Sequence, residues 1–380
     1  MTVLPAFGDF VLSYRNGYGV RPKGVEDGPV ILRIADVSSG EIDLSDPRRG
    51  NVSQKILETY RLSPGELLLI RVNGSREIVG RCCVVRESVP SDTIFNDHLI
   101  RVRLKEGLDP EFARYFLSAP PARNVIEEAA STSAGQLTIN QQVISGLELP
   151  DIEIGEQKKR AEKIARQFSE YAVAKEAAVC QLRDVAALTD AIIFDSVKRP
   201  EAHPRLGAVL DEVKHGIGEG WASHPVLGAT RDGLAPAKEP AGKQAHKYKP
   251  AVPGTVFYNP MRILIGSIAM VDEDDTPGIT SPDYVVLRGN PGVVDSRWFY
   301  YWLRSPLGKR CIQSLARGAV RERMLFNRFA QGEIALPSFA DQQRASAALK
   351  ELKPLKRALE ARLAEINLLP QKILSAAFEM

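Results

Sequence analysis

The sequence has few of the residues that build metal sites, and it has no long apolar run. Its 380 residues include only four cysteines and five histidines. They form no CxxC pair and no HxxxH spacing, so neither a zinc site nor a disulfide framework is expected. No apolar run reaches the roughly 18 residues of a membrane-spanning helix, and the first residues do not resemble a signal peptide. We therefore expect a protein of the reducing cytoplasm, without bound metal and without membrane contact.

The chain also lacks a strong excess of charge of either sign. Its 50 basic and 47 acidic residues leave a formal net charge of +3. Residues 1–150 carry 17 basic and 19 acidic residues, and residues 201–338 carry 17 and 14. This balance excludes a protein held to DNA by bulk charge. It still allows a DNA reader with local basic patches, because only the contact face needs positive charge.

An internal repeat organises the chain. Residues 108–120 align without a gap with residues 294–306, and both segments predict an amphipathic helix that begins at Asp and stops before Pro. Upstream, Pro-Gly turns and short apolar strands recur in the same order. Downstream, each copy has Leu-Pro and then an acidic residue followed by Gln, as in Glu156-Gln157-Lys158 and Asp341-Gln342-Gln343. The repeat predicts two similar globules of mixed helix and strand.

Each globule is followed by a stretch with the composition and spacing of a long helix. Residues 155–199 have no Gly or Pro between Gly155 and Pro200, and residues 340–380 place apolar residues every seven positions. A 3.5-residue period is typical of a coiled coil, with Leu355 and Leu369 at the intermediate positions. Pro354 and Pro370 predict a break near one of them. The side chains predicted to form the packing stripes are Ile164, Tyr171, Leu182, Val185, Leu352, Leu359, Ile366 and Ile373.

These elements predict a mixed α/β (α+β) architecture with pseudo-twofold symmetry. Two similar globules are joined by two long antiparallel helices that form a coiled coil. The alternative is that each helix packs only on its own globule. The predicted boundaries are 1–153 and 200–338 for the globules, and 154–199 and 339–380 for the helices.

In this arrangement the sequence resembles the specificity subunit of type I restriction–modification enzymes over essentially the whole chain. The marks in the first half are residues 29–37, Leu62-Ser63-Pro64-Gly65-Glu66 and Arg71-Val72-Asn73-Gly74-Ser75. Those in the second half are residues 227–234, Tyr258-Asn259-Pro260-Met261-Arg262 and Ser281-Pro282-Asp283-Tyr284. The third mark is the Leu-Pro and acidic-Gln pair before each helix. Each motif is weak alone, but their order and their repetition make them specific.

The resemblance implies that the globules are target recognition domains, each of which reads one half of a split site in double-stranded DNA. It implies that the helices set the distance between the half-sites and that the stripe residues listed above are partner contacts, through which methyltransferase subunits, two in number, dock. Adenine methylation would then belong to those partners, and DNA cleavage to a translocase/nuclease subunit. S-adenosylmethionine, ATP and Mg²⁺ would be bound in the partners, with no cofactor and no catalytic residue in this chain.

Two motifs have some features of catalytic sites. Ser281-Pro282-Asp283-Tyr284 comes near the adenine methyltransferase motif but lacks its second proline. Asp151, Glu156 and Lys158 have the residue types of a metal nuclease, but their spacing is too short for two strands of a hairpin, and Gln343 replaces the lysine in the other copy. A self-contained methyltransferase or nuclease therefore remains an alternative, as does a coiled-coil scaffold without DNA contact.

Candidate DNA contacts lie in polar loops. Arg and Asn match base edges in the major groove, whereas Lys contacts phosphate more than base. The segment from Arg71 to Arg76 predicts a hairpin tip that could enter a groove. Lys243 and Lys247 are expected to anchor the backbone, and Arg317, Arg321 and Arg323 form a further basic run. The remaining candidates are Arg15, Asn16, Arg21, Lys23, Asn73, Arg231, Tyr258, Asn259 and Arg262.

Overall fold

The computed structural model describes residues 4–133, 135–316 and 323–379. The chain divides into two compact units, Met1–Glu176 with Ala364–Met380 and Ala177–Leu363. We call these the first and second unit, and we call residues 4–153 and 200–338 the first and second globule. Each long helix contributes residues to both units.

The first globule is built on a four-stranded antiparallel sheet. Its strands follow the order Val11–Asn16, Leu99–Leu104, Leu67–Ile70 and Cys82–Val84. Every residue of the central strand Leu67–Ile70 is buried, because apolar clusters cover both faces of the sheet. A strand covered on both faces appears as a continuous apolar run in the sequence rather than as an alternating one.

The second globule repeats this sheet. Its strands follow the order Leu210–Glu212, Val285–Gly289, Val256–Tyr258 and Ile268–Met270, and all neighbours are antiparallel. The turn before the third strand in sheet order contains Gly254 at φ +83°, and its equivalent Gly65 has φ +84°. The prediction of two similar globules of mixed helix and strand is confirmed.

Shorter elements complete the globules. In the first they are Phe7–Phe10, Ile31–Leu32, Ile34–Val37, Gln54–Tyr60, Val72–Asn73, Ile94–Phe95, Pro110–Ser118, Pro120–Ala129, Ser131–Ser133, Gln136–Thr138 and Gln141–Ser145. In the second they are Leu206–Val209, Gly218–Ser223, Leu227–Thr230, Gly233–Pro236, Ala245–Lys247, Lys249–Ala251, Ile263–Ile265, Gly278–Thr280, Ser296–Arg304, Pro306–Leu315 and Phe326–Phe329.

The repeated helix begins in the same way in both globules. Asp109 Oδ1 accepts a hydrogen bond of 2.9 Å from the Phe112 amide, and Asp295 Oδ1 accepts one of 2.9 Å from the Trp298 amide. Each carboxylate thereby satisfies an amide that has no partner within its own helix. Each of these helices is followed directly by a second one that begins at proline, where a missing N–H costs no hydrogen bond.

A buried glutamine joins this cap to the start of each long helix. Gln157 Oε1 accepts from the Asp109 amide at 2.9 Å, and its Nε2 donates to the carbonyls of Gly107 and Ile152 at 3.0 Å each. Gln342 does the same with the Asp295 amide at 2.9 Å and with the carbonyls of Val293 and Pro337. The glutamine of the repeated acidic-Gln pair is therefore a structural clamp.

The long helices run from Ile154 to Ser196 and from Phe339 to Phe378. The predicted break at a proline is wrong, because the second helix continues through both Pro354 and Pro370. A proline inside a helix removes one hydrogen bond and need not end it when the neighbouring turns are held by other contacts. Lys350, Lys353 and Arg357 hold this part of the helix through ion pairs on either side of Pro354.

Within each unit, the beginning of one long helix and the end of the other enter the same core. In the first unit, Ala161 and Ile164 share a cluster with Leu374 and Phe378. In the second unit, Ile193 shares a cluster with Ala345 and Leu349. Opposite ends thus meet in both units, as an antiparallel pair of helices requires.

The predicted stripes are only partly covered. Ile366 and Val185 are buried, while Leu182, Leu352, Leu359 and Ile373 are half-buried. Leu355 and Leu369, at the intermediate positions of the stripe, are exposed. The heptad spacing therefore identifies the helix face that packs against the rest of the chain, but it includes side chains that remain exposed to solvent.

An ion-pair network joins the turn 272–275 of the second globule to the second long helix. Asp272 is buried and accepts hydrogen bonds from Arg297 and from Lys353 Nζ, the latter at 3.1 Å. Lys353 also pairs with Asp275 at 3.2 Å. Burial opposes ionisation of Asp272, but the bonds from Arg297, the Glu273 amide and Lys353 outweigh it, so its pKa lies well below the usual range.

Replacing Asp272 with asparagine is expected to lower the free energy of unfolding at pH 7 by about 2 kcal/mol, since hydrogen bonds to charged groups are lost. A carboxylate whose pKa is depressed by folding stabilises the protein above its unfolded pKa, near 4. The difference between D272N and the native chain should therefore shrink as the pH falls from about 5 toward 2. Urea unfolding at pH 7 and pH 3 measures it, and a difference that grows in acid would contradict the assignment.

Candidate nucleic-acid interface

In the first globule, the loop 16–23 lies against the turn Asn96-Asp97-His98. The Gly17 amide donates to the Leu99 carbonyl at 3.1 Å, and the Tyr18 amide donates to the Phe95 carbonyl at 2.9 Å. A Cβ at Gly17 would lie 2.0 Å from the Asn96 carbonyl oxygen, so only glycine permits this approach. The loop is thereby fixed on the edge of the globule.

The same turn brings two separate predicted segments together. Arg71 Nε donates to the Asp97 carbonyl at 2.9 Å. Asp97 and His98 line a cavity of about 480 Å³ together with Arg21 and Arg48. Arg21 and Arg71 therefore meet at one turn, although 50 residues separate them. Arg48 and His98, which line the same cavity, are not among the contacts predicted from the sequence.

Arg15 and Asn16 end the edge strand Val11–Asn16 with exposed side chains. The Arg15 guanidinium lies 6.0 Å from the centre of the Tyr60 ring, which is in the range of a weak cation–π contact. Arg15 is also paired across the sheet with Arg101, whose buried charge lies 3.7 Å from the Glu66 carboxylate. Glu66 thus reduces the repulsion between the two arginines.

The predicted hairpin tip from Arg71 to Arg76 is held against the globule. Val72–Asn73 is a strand paired with Gln136–Thr138, so the start of the connection belongs to a second sheet. Arg76 Nη1 donates at 2.7 Å to the carbonyl of Glu127, near the end of the helix Pro120–Ala129. The tip is tethered because its backbone and its arginine both have partners within the globule.

Asn73 and Asn259 have the same local role in the turns that contain them. Asn73 Oδ1 accepts from the Ser75 amide at 2.9 Å, and Asn259 Oδ1 accepts from the Met261 amide at 3.0 Å. Reading adenine with both amide groups requires a free oxygen as well as a free nitrogen. These oxygens stabilise turns, so two-point contact with a base would require the turns to rearrange.

Tyr258, predicted as a DNA contact, is instead a core residue. Its side chain is fully buried in the strand Val256–Tyr258, and its ring lies 5.3 Å from that of Phe329. Burial raises the pKa of its hydroxyl well above the usual value. The sequence placed it next to Asn259, but successive residues of a strand point to opposite faces, and its equivalent Leu69 is buried as well.

Arg231 stands at the tip of the hairpin formed by Leu227–Thr230 and Gly233–Pro236 and is exposed. Arg304 holds this tip, because its guanidinium donates to the Arg231 carbonyl and, at 2.8 Å, to the Ile268 carbonyl. The hairpin also contacts the turn that carries Arg262, since Ser267 Oγ donates to the Ala229 carbonyl at 2.7 Å. Arg231 and Arg262 are thus presented by neighbouring, hydrogen-bonded elements.

The two predicted lysine anchors lie in another loop. Lys243 and Lys247 are exposed, and the segment around them packs against residues 215–217, where the Ile217 amide donates to the Tyr248 carbonyl at 2.7 Å. Lys23 of the first globule is exposed too. Of the basic run 317–323, Arg323 pairs with Asp283 at 2.9 Å, while Arg317 and Arg321 lie outside the described residues.

Some predicted partner contacts on the long helices are covered by the chain itself. Ile164 is buried in the core of the first unit, with Ile373 packed against it, so Ile164 is not available to a partner. Tyr171 is half-buried, with its ring 6.4 Å from that of Phe168. The exposed large apolar side chains on the first long helix are instead Ile154, Val173, Leu188 and Phe194.

No group of His, Cys, Asp and Glu able to hold a metal ion occurs among residues 4–133, 135–316 and 323–379. Over the same residues, none of the helices combines the length and apolar character needed to cross a bilayer. The buried thiols Cys82 and Cys83 have raised pKa values through burial, that of Cys83 reaching about 12. They are structural rather than nucleophilic groups.

The fold is shared with solved structures of one class of protein. A chain from a structural study of assembly and conformational transition in the type I restriction–modification system matches all of this chain and 99% of its own length, with a TM-score of 0.67 and 17% identity. The HsdS subunit of Thermoanaerobacter tengcongensis matches 98% of this chain and 95% of its own, with a TM-score of 0.54 and 16% identity. These likenesses show the fold.

Curated proteins of the same class match in sequence. The EcoKI specificity subunit of Escherichia coli strain K12 is 35% identical over 134 residues, 35% of this chain and 29% of that protein. The StySPI specificity subunit of Salmonella potsdam is 29% identical over 188 residues, 49% of this chain and 40% of that protein. The matches thus span less than half of these relatives, and no family model matches. The resemblance to type I specificity subunits is confirmed.

Proposed function

We propose that this chain is the DNA-recognition subunit of a type I restriction–modification complex and reads a bipartite site. The observation that carries the proposal is the repeated globule with its repeated clamp. Two equivalent readers, each with a basic, hydrogen-bonded edge, suit a site made of two half-sites. The likeness to specificity subunits in fold and in part of the sequence supports the same function.

The partners follow from the same proposal. Methyltransferase subunits, two in number, would dock on the long helices and carry out adenine methylation, and a translocase/nuclease subunit would cut DNA. S-adenosylmethionine, ATP and Mg²⁺ would be bound by those subunits, and the complex would act in the cytoplasm. The chain itself would position DNA without catalysing a reaction.

The structure supports a modular exchange of recognition. The beginning and the end of the second globule are paired, with bridges between Ala202 and Leu336 and between Arg205 and Glu333. In the first globule, Ala6 pairs with Glu148, and the Leu149 amide donates to the Pro5 carbonyl at 2.9 Å. A segment whose two ends are adjacent can be replaced without moving the rest of the chain.

Replacing residues 205–336 with the equivalent segment of a relative is expected to change one half of the recognised sequence only. Sequencing of methylated adenines, in cells that express the chain with its methyltransferase, reads both halves at once. The matched exchange of residues 6–148 should change the other half. Changes in both halves from one exchange would contradict two independent readers, and methyl transfer by the purified chain alone would contradict a non-catalytic role.

A further inference from the structure

The turn Asn259–Gly266 of the second globule presents a cluster of exposed apolar side chains. Met261, Leu264 and Ile265 have exposed fractions of 57%, 47% and 53%. Single exposed apolar residues are ordinary on a protein surface, but three within five positions form a patch that marks a contact surface. They stand on the same turn as Arg262, whose guanidinium has base-reading chemistry.

The corresponding connection of the first globule lacks such a patch. It joins the strands Leu67–Ile70 and Cys82–Val84, and it is longer than the connection between Val256–Tyr258 and Ile268–Met270. Near its end, Val79 is fully buried, whereas Ile265 of the second globule is exposed. The exposed apolar side chains are therefore not a feature that the two globules share.

The patch is held rigidly. Ile263 is buried beneath the turn, and the Ser267 amide donates to the Arg262 carbonyl at 3.1 Å. Ser267 Oγ donates to the Ala229 carbonyl at 2.7 Å, which fixes the turn on the neighbouring hairpin. A rigid apolar surface loses little conformational entropy when it is covered.

Basic side chains border the patch. Leu264 and Ile265 line a cavity of about 400 Å³ together with Arg231 and Lys309. Arg262 is exposed on the turn itself. An apolar tip with basic side chains beside it suits a ligand that has an apolar group between negative charges. Duplex DNA is such a ligand, because its phosphates lie on both sides of a groove in which the base edges are displayed.

We propose that the turn Asn259–Gly266 reads the 5-methyl group of thymine in the half-site of the second globule. This rests on the DNA-recognition function proposed above. The thymine methyl is the apolar group that the base pairs display in the major groove, and it distinguishes T·A from the other pairs. Met261 and Leu264 make the contact while Arg231 and Lys309 lie at the flanking phosphates. The half-site of the second globule therefore contains thymine.

The test is a coupling between one DNA methyl group and one protein side chain. The complete complex with methyltransferase subunits is titrated with target duplexes in which each thymine of that half-site is replaced in turn by deoxyuridine. The native complex should lose about fourfold in affinity at one or two positions, the value of one buried methyl group. L264A or M261A should bind the thymine and deoxyuridine duplexes equally at one of those positions.

The control variant is V293A, which removes another exposed apolar side chain of the same globule and should keep the native thymine preference. An unchanged thymine preference in both L264A and M261A overturns the inference. If the native complex still prefers its target sequence in that experiment, the proposed function is unaffected. Loss of methyltransferase co-purification in those variants, with that preference unchanged, would make the patch a protein-docking surface. A native complex without any sequence preference would instead refute the proposed function itself.

Discussion

Replacing Phe378 with alanine is expected to destabilise the first unit by about 3–5 kcal/mol, the range for removing a buried phenylalanine side chain. Phe378 lies in the last turn of the second long helix and is buried. Its ring centre lies 5.2 Å from that of Phe112 and 5.8 Å from that of Phe116, so it fills a space beside the helix Pro110–Ser118. Alanine would leave a cavity that these neighbours can close only in part.

Hydrogen exchange measured by mass spectrometry would locate the effect. Protection should fall in peptides covering residues 110–118 of the full-length F378A chain, more than in the equivalent helix 296–304. The matched control is L368A on the same long helix, where the side chain is exposed and the expected change is within about 0.5 kcal/mol. Equal losses in both helices would show that Phe378 does not belong specifically to the first unit.

The second large effect is expected at the glutamine clamps. Q342A should destabilise the second unit by about 3 kcal/mol, because one buried amide and two carbonyls lose their hydrogen-bond partner together. Q157A should do the same in the first unit, since its three bonds are equivalent. Both changes also loosen the junction between the capped helix and the long helix that follows.

The neighbouring Gln343 supplies a control of identical chemistry. It is exposed on the same helix, so Q343A should change stability by no more than about 0.5 kcal/mol. Urea unfolding of Q342A, Q157A and Q343A compares the three. A Q342A variant as stable as Q343A would mean that water replaces the clamp and that the repeated glutamine has no structural value.

The repeat could be predicted because its signals are local. Asp109 and Asp295 are followed by helix formers and then by proline, and both are helix caps in the structure. Gly65 and Gly254 mark turns that need a positive φ. The alignment of the two copies pairs Gln157 with Gln342, but it does not reveal what the side chains do. Each glutamine bonds to the backbone of residues about 50 positions earlier in the chain, and only the tertiary structure shows that contact.

The types of residue at the candidate interface could be predicted from the sequence, but their positions relative to one another could not. Arg231 is exposed on a loop, as proposed from the sequence, whereas Tyr258 is a core residue although it adjoins Asn259. Nothing in the sequence near Arg48 or His98 indicates that they line one cavity with Arg21. Whether a side chain is exposed, and which side chains lie near it, depends on how strands, turns and helices pack together. Those contacts join residues that are far apart in the chain.

The sequence by itself determined the order of elements, the duplication, the helix caps and the two long helices, because each depends on interactions within a few residues. Only the tertiary structure decided which faces are covered. Ile164 is closed off by the core of the first unit, Leu355 is left in solvent, and the helix continues past Pro354 because Lys350 and Lys353 hold it to the turn 272–275. Such outcomes depend on contacts between distant segments, whose free energy exceeds the local preferences that they override.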